Sequence, residues 1–458
     1  MNREELAFAG VLRQAELVRG GEVSSRELVE LYLDRIRRLD PELNAFRTVM
    51  AERALADADQ ADAQRRAGEE RPLGGVPIAV KDTEDVAGEV TGWGTGAHGG
   101  PAERDNELVS RLRAAGAVIL GKTNLPELAI IGATEGPAFG VTRNPWNTDR
   151  TPGGSSGGSG AAVAAGLCAA ATASDGGGSI RIPASCCGVV GLKPQRDRIS
   201  LAPRAEHWYG LSVAGFLTRR VADTALLLDL TAARAPDRPL AEEARSAPGR
   251  LRVALSFKPT FPTRVDPEVR SSVERVAERL RALGHEVVDH DPAYGRAPDT
   301  WTVRFLAGVA QDAERVPRPE RLQRRTRGFA RMGRLIPSAV LERARRDEAG
   351  HAARIGELFR DHDVLLTPTC SRPPVDAAEW EGMSALRTLL GLGLVYPFTT
   401  VWNTTGQPAI SVPAPPASDG LPIGAQLVGP PESEGRLLSL AAQLESEFGW
   451  TERRPPLA

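Results

Sequence analysis

Histidine is scarce in this chain, with six among 458 residues and none beyond His362. That scarcity leaves the C-terminal part without an imidazole for proton transfer or metal ligation. Cysteine is scarcer still. Cys168, Cys186, Cys187 and Cys370 include one adjacent pair and show no metal-ligand spacing, so the sequence implies reduced thiols, a cytoplasmic setting and no metal site. Charge of one sign is missing too. The 57 basic and 59 acidic residues balance to −2, which gives no field for nucleic acid or an anionic membrane. The basic run "RPERLQRRTRGFARMGR" (318–334) reads as a solvated helical face. The weakly apolar run from Ala161 to Ala173 is too short to span a bilayer, and "MNREELAFAG" lacks the apolar core of a signal peptide.

What is present is a chain of ordinary globular composition, 41% hydrophobic and 25% charged, long enough to bury a large core. The capping box Ser24-Ser-Arg-Glu27 and the periodic "LVELYLDRIRRLD" predict a helical region over 1–70. After it, short apolar runs alternate with helices: "GVPIAV" (75–80), "AVIL" (117–120), "LRVALSF" (251–257), "DVLLTPT" (363–369), "PAISVP" (408–413) and "IGAQLVG" (423–429). These runs lack strict alternation, as strands covered on both faces do, so the fold class is α/β with a large sheet. A single domain over 1–458 is expected. Its catalytic core lies at 71–230, a more variable and largely helical part at 231–365, and closing strands and a helix at 366–458.

"GAVILGKT" (116–123) spells the phosphate-loop pattern, but its four variable positions are strand formers and leave no loop, so Lys122 and Thr123 are read as closing a strand. "PGGSSGGSG" (152–160) has the composition of a flexible linker, yet it runs into "AAVAAGLCAAATASDGGG", which is as small and core-like as any stretch of the chain. A linker separates cores, so this stretch reads as a backbone bend inside one. It also satisfies G-x-S-x-G at Ser155 and Ser156, but the preceding "TRNPWNTDRTP" cannot be the strand that a nucleophile elbow requires. A Ser-His-Asp hydrolase is the poorer reading.

A different chemistry fits better. In "SDGGGSIR" (174–181), Gly176, Gly177 and Gly178 let successive N–H groups converge beside Ser179, the arrangement of an oxyanion hole. In "GGVPIAVKD" (74–82), Lys81 follows a buried strand, where desolvation would lower its pKa and make it a base. Taken together, "GGVPIAVKD", "PGGSSGGSGAAVA" and "DGGGSIRIPASCCGVVGLKP", with "GKTNLPELA", "NPWN", "NTTGQPAISVP" and "GLPIGAQLVG", resemble the amidase signature family nearly end to end. The resemblance implies a large mixed twisted sheet flanked by helices. It implies Lys81 as base, Ser155 as bridging serine after a cis peptide bond, and Ser179 as nucleophile. Gly176, Gly177, Gly178 and Ser179 would hold the oxyanion, Asp175 and Arg181 would brace the loop, and Ser156 would support Ser155.

No cofactor is implied. The nucleophile loop departs from the "SDTGGSIRQPA" of the glutamine amidotransferase subunits and is similar to the branch of urethanases, aryl acylamidases and nylon cyclic-dimer hydrolases. The expected substrates are therefore small aryl or alkyl amides and carbamates, with a 6-aminohexanoate oligomer as the alternative. A monomer or homodimer is expected. Ile130, Ile131, Arg198, Trp208, Tyr209, Tyr396, Phe398 and Trp402 are candidate lining residues. A degenerate, non-catalytic scaffold is disfavoured because Lys81, Ser155 and Ser179 are all in place.

Overall fold

The computed structural model describes residues 1–458 and centres on one mixed sheet of eleven strands. In chain order these are β1 (Phe46–Val49), β2 (Pro77–Lys81), β3 (Val118–Thr123), β4 (Ala170–Asp175), β5 (Val190–Lys193), β6 (Val213–Thr218), β7 (Arg252–Leu255), β8 (Glu286–Asp289), β9 (Val364–Pro368), β10 (Ala409–Ala414) and β11 (Ile423–Val428). Their order across the sheet is β1-β3-β2-β4-β6-β5-β10-β11-β9-β7-β8. Every residue of β2, β3, β5, β6, β9, β10 and β11 is buried, which is why those segments show no polar alternation. No helix is long and apolar enough to cross a membrane.

Two expectations shift. The 1–70 region is not wholly helical: β1 lies within it and pairs antiparallel with β3 at the sheet edge. The Ala/Gly-rich run divides into a helix at Gly157–Ala164 and the central strand β4, whose small side chains hid it from a reading based on β-branched residues.

The phosphate-loop decoy is settled by β3. Its Lys122, wholly buried, pairs with Asp82 at 2.8 Å and donates to Thr91 Oγ1 at 2.9 Å. No loop exists there to hold a phosphate.

The glycine-serine stretch is packed throughout, with residues 151–165 all buried. A Cβ on Gly158 would sit 2.5 Å from the Ala45 carbonyl oxygen and the Asn124 backbone, and one on Gly154 would sit 2.6 Å from Ala133 backbone atoms. Glycine is required here by close approach of neighbouring chain, not by flexibility.

β2 and β4 run parallel and adjacent, so their C-terminal ends open on the same side of the sheet. Ligand sites of open α/β sheets lie at such ends.

Candidate active site

Lys81 is the last residue of β2 and is wholly buried. Its backbone N–H donates to Thr172 Oγ1 of β4 at 2.8 Å, which fixes the strand end. Its Nζ lies 2.8 Å from Ser155 Oγ and 2.9 Å from Ser174 Oγ. Burial pulls the ammonium down to about 7, against weaker opposing pulls from Glu84 and Asp175. A neutral amine can donate to one hydroxyl and accept from the other, so two serine partners suit it.

Ser155 follows a cis peptide bond from Gly154 and is 1% exposed. Ser156 Oγ reaches the Ser174 carbonyl oxygen at 3.4 Å, tying the bend to β4. Ser174 had no part in the sequence reading, and strand pairing brings it to Lys81 across 93 residues of chain.

Ser179 is half-buried on the turn after β4. Asp175 shapes that turn. Its carboxylate accepts from Gly178 N (2.6 Å), Ile180 N (3.2 Å) and both Arg181 Nε and an Arg181 terminal nitrogen (2.9 Å each). Arg181 in turn donates to Asn403 Oδ1, Gln426 Oε1 and the Thr399 carbonyl. The guanidinium holds the Asp175 carboxyl well below the usual carboxylate range although it is wholly buried.

The turn corrects one expectation. The Gly178 N–H is consumed by Asp175 and is not an open donor, because the carboxylate turns it into the loop. Gly176, Gly177 and Ser179 keep their N–H groups free of intramolecular partners. The loop is clamped from outside by Trp301 Nε1, which donates to the Gly176 carbonyl at 2.8 Å, and by Thr399 Oγ1, which donates to that of Gly177 at 2.7 Å.

Two cavities meet at Ser179. One, of about 310 Å³, is mainly apolar and is lined by Ile130, Ile131, Trp208 and Tyr396, with Trp301, Phe305 and Leu392. The other, of about 60 Å³, is polar and holds Ser155, Ser174 and Gly176, with Glu84, Asn106, Arg204 and His207. Ser155 and Ser179 share its wall without a mutual hydrogen bond.

Four expected lining residues lie elsewhere. Arg198 is buried against Glu434 (3.0 Å) and Glu432 (2.5 Å), more than 230 residues away in sequence. Phe398 is wholly buried, and Trp402 packs on Tyr294 in a separate core cluster. Tyr209 lies outside both cavities, with the Arg345 guanidinium over its ring. Conversely, Trp301 and Phe305 come from the helix Ala297–Arg315 in the part expected to be variable. Their i, i+4 spacing is an ordinary amphipathic signal that does not distinguish a cavity wall from core.

The fold and this site define an α/β enzyme with a buried amine aimed at a serine. A sequence model of the family described as Amidase matches residues 27–438, and the chain belongs to that family of amide hydrolases. AmiB2 of Mycobacterium tuberculosis is 48% identical over 100% of both chains. The 6-aminohexanoate-cyclic-dimer hydrolase of Paenarthrobacter ureafaciens is 38% identical, over 97% of this chain and 96% of that one. The structure of a 6-aminohexanoate cyclic dimer hydrolase complexed with substrate matches with a TM-score of 0.90 and 34% identity, covering 98% of this chain and 99% of the other.

Proposed function

We propose that the enzyme cleaves small aryl or alkyl amides and carbamates through an acyl-enzyme on Ser179, with Lys81 as base and Ser155 as relay. The observation that carries this reading is the buried Lys81 amine, held near neutrality 2.8 Å from Ser155 Oγ in the cavity that also contains Ser179. Neutral Lys81 takes the Ser155 hydroxyl proton while Ser155 takes that of Ser179. The Ser155–Ser179 contact closes when substrate fills the cavity, since such bonds are often long in the empty enzyme.

Ser179 Oγ then bonds to the substrate carbonyl carbon. The N–H groups of Gly176, Gly177 and Ser179 stabilise the negative oxygen. The C–N bond breaks as the proton returns along the relay to the leaving amine. Water, deprotonated by the same route, releases the acid. With a carbamate the released half-ester of carbonic acid loses CO2. No step requires a metal or cofactor.

The mainly apolar cavity supports an aryl or alkyl group beside the scissile bond. Likeness to the cyclic-dimer hydrolase supports a second reading, an amide of 6-aminohexanoate. Four buried free cysteines support action in the cytoplasm.

The test is a kcat/KM panel of 4-nitroacetanilide, an ethyl N-aryl carbamate, a 6-aminohexanoate oligomer and glutamine. The anilide and carbamate should lead. Preference for the oligomer selects the second reading, and preference for glutamine overturns both.

A further inference from the structure

We propose that Arg204 forms a carboxylate-binding subsite, so that favoured substrates carry a carboxylate on one side of the scissile bond and an apolar group on the other. The inference rests on the amide-hydrolase reading above and names the substrate class more narrowly.

Arg204 stands on the loop after β5 and lines the polar cavity that ends at Ser179. Its guanidinium lies 4.2 Å from the centroid of the Trp93 ring, and His207 faces the same indole at 5.7 Å. Stacking on an indole fixes the guanidinium plane while leaving its edge N–H groups unused. Arg204 joins no ion pair and donates no side-chain hydrogen bond in this structure. That is unlike Arg181, Arg198 and Arg304, whose guanidinium groups are engaged inside the protein.

The acidic groups nearby do not take its place. Glu84 lies in the same cavity wall, but its carboxyl oxygens already accept from Asn106 and Thr83. Asp85 shares the wall without pairing with Arg204. Asp312, behind the cavity, is bound by His207 Nε2 at 2.8 Å and Trp208 Nε1 at 2.7 Å. A guanidinium stacked on an indole with a free edge, in the cavity wall that also holds Ser179, is the side chain that recognises a planar carboxylate. The opposite, apolar cavity accounts for the other half of the substrate.

Binding is measured by calorimetry on Ser179→Ala protein, which keeps the cavity but cannot turn over. The probes are 4-hexanamidobenzoate and glutaric acid monoanilide, each beside its methyl ester, so that either orientation of the amide is covered. In at least one pair the acid should bind about tenfold tighter than its ester. Adding Arg204→Gln should erase that gap while leaving the ester's affinity within about twofold, which also reports an intact fold. Arg204→Lys should recover only part of it. Equal binding of acid and ester in both pairs, or an equal loss for both in Arg204→Gln, overturns the subsite. Hydrolysis of the neutral esters' amide bond by the protein with Ser179 intact is scored separately, so failure of the catalytic reading is distinguishable.

Discussion

Lys81 Nζ lies 2.8 Å from Ser155 Oγ, and the lysine carrying it has no solvent exposure. A charged ammonium there is costly, so the amine titrates near 7 because of burial. If Lys81 is the base, kcat/KM rises with pH along a limb near 7, well below the ~10.4 of a free lysine, and levels off by about pH 8–9. A flat profile from pH 5 to 10 would exclude the amine as base. Lys81→Met should abolish turnover, and Ser155→Ala should leave a residue of activity because water can stand in for a relay hydroxyl.

The same burial makes a stability prediction of definite sign. Below about pH 7 the native Lys81 is charged and buried, and the full penalty applies, roughly 5 kcal/mol for a shift from 10.5 to about 7. Between pH 7 and 10.5 the unfolded chain holds a proton that the native amine has lost, so the penalty shrinks as pH rises. Lys81→Met should therefore raise Tm at pH 6, with a gain that narrows toward pH 10. Thermal melts at three pH values check this, and a gain that widens with pH contradicts it.

Asp175→Asn leaves the wholly buried Arg181 without its carboxylate partner. Breaking one member of such a pair costs about 3–5 kcal/mol. The melt should drop by several degrees and activity should fall with it, because one of the two oxygens that accept from Gly178 and Ile180 becomes an NH2 donor. Ser179→Ala, which removes one hydroxyl from a half-exposed position, should abolish activity without moving Tm. Equal melts for the two variants would mean that the loop does not depend on Asp175.

Legibility of the sequence followed distance along the chain. Lys81, Ser155 and Ser179 sit in compact motifs and could be picked out locally, whereas Ser174 matters only because β2 and β4 are neighbours. Arg198, Phe398 and Trp402 were misplaced for the converse reason. A polar loop or an aromatic run gives no direction to a side chain, and partners such as Glu434 are found only in the folded chain. β4 was hidden by its alanines. The α/β class was visible because fully buried strands leave continuous apolar runs.

Whether "PGGSSGG" is a packed bend or a spacer can be decided by one methyl group. Gly158→Ala places a Cβ 2.5 Å from backbone atoms of Ala45 and Asn124, which cannot withdraw as a side-chain tip could. Gly350→Ala, at a helical glycine with nothing within 4 Å, serves as the control and should be neutral or slightly stabilising. Gly158→Ala should give insoluble or strongly destabilised protein. Normal expression and melting of that variant would restore the spacer reading.

The remaining rival is a histidine-dependent serine, and the structure contains one hydrogen-bonded set of that type. Ser212 Oγ lies 2.8 Å from His207 Nδ1, and His207 Nε2 lies 2.8 Å from Asp312 Oδ2, with Ser212 and His207 both on the polar cavity. In this set Trp208 Nε1 competes for the same Asp312 oxygen, and the Ser212 N–H is itself bound to the His207 carbonyl. Its role is read as holding Trp208 in the wall between the two cavities. His207→Gln should then keep kcat within about tenfold and raise KM through a less fixed wall, and a fluorophosphonate should label Ser179 alone. A loss of kcat by several orders of magnitude in His207→Gln, together with label on Ser212, would move the nucleophile from Ser179 to Ser212 and the base from lysine to histidine.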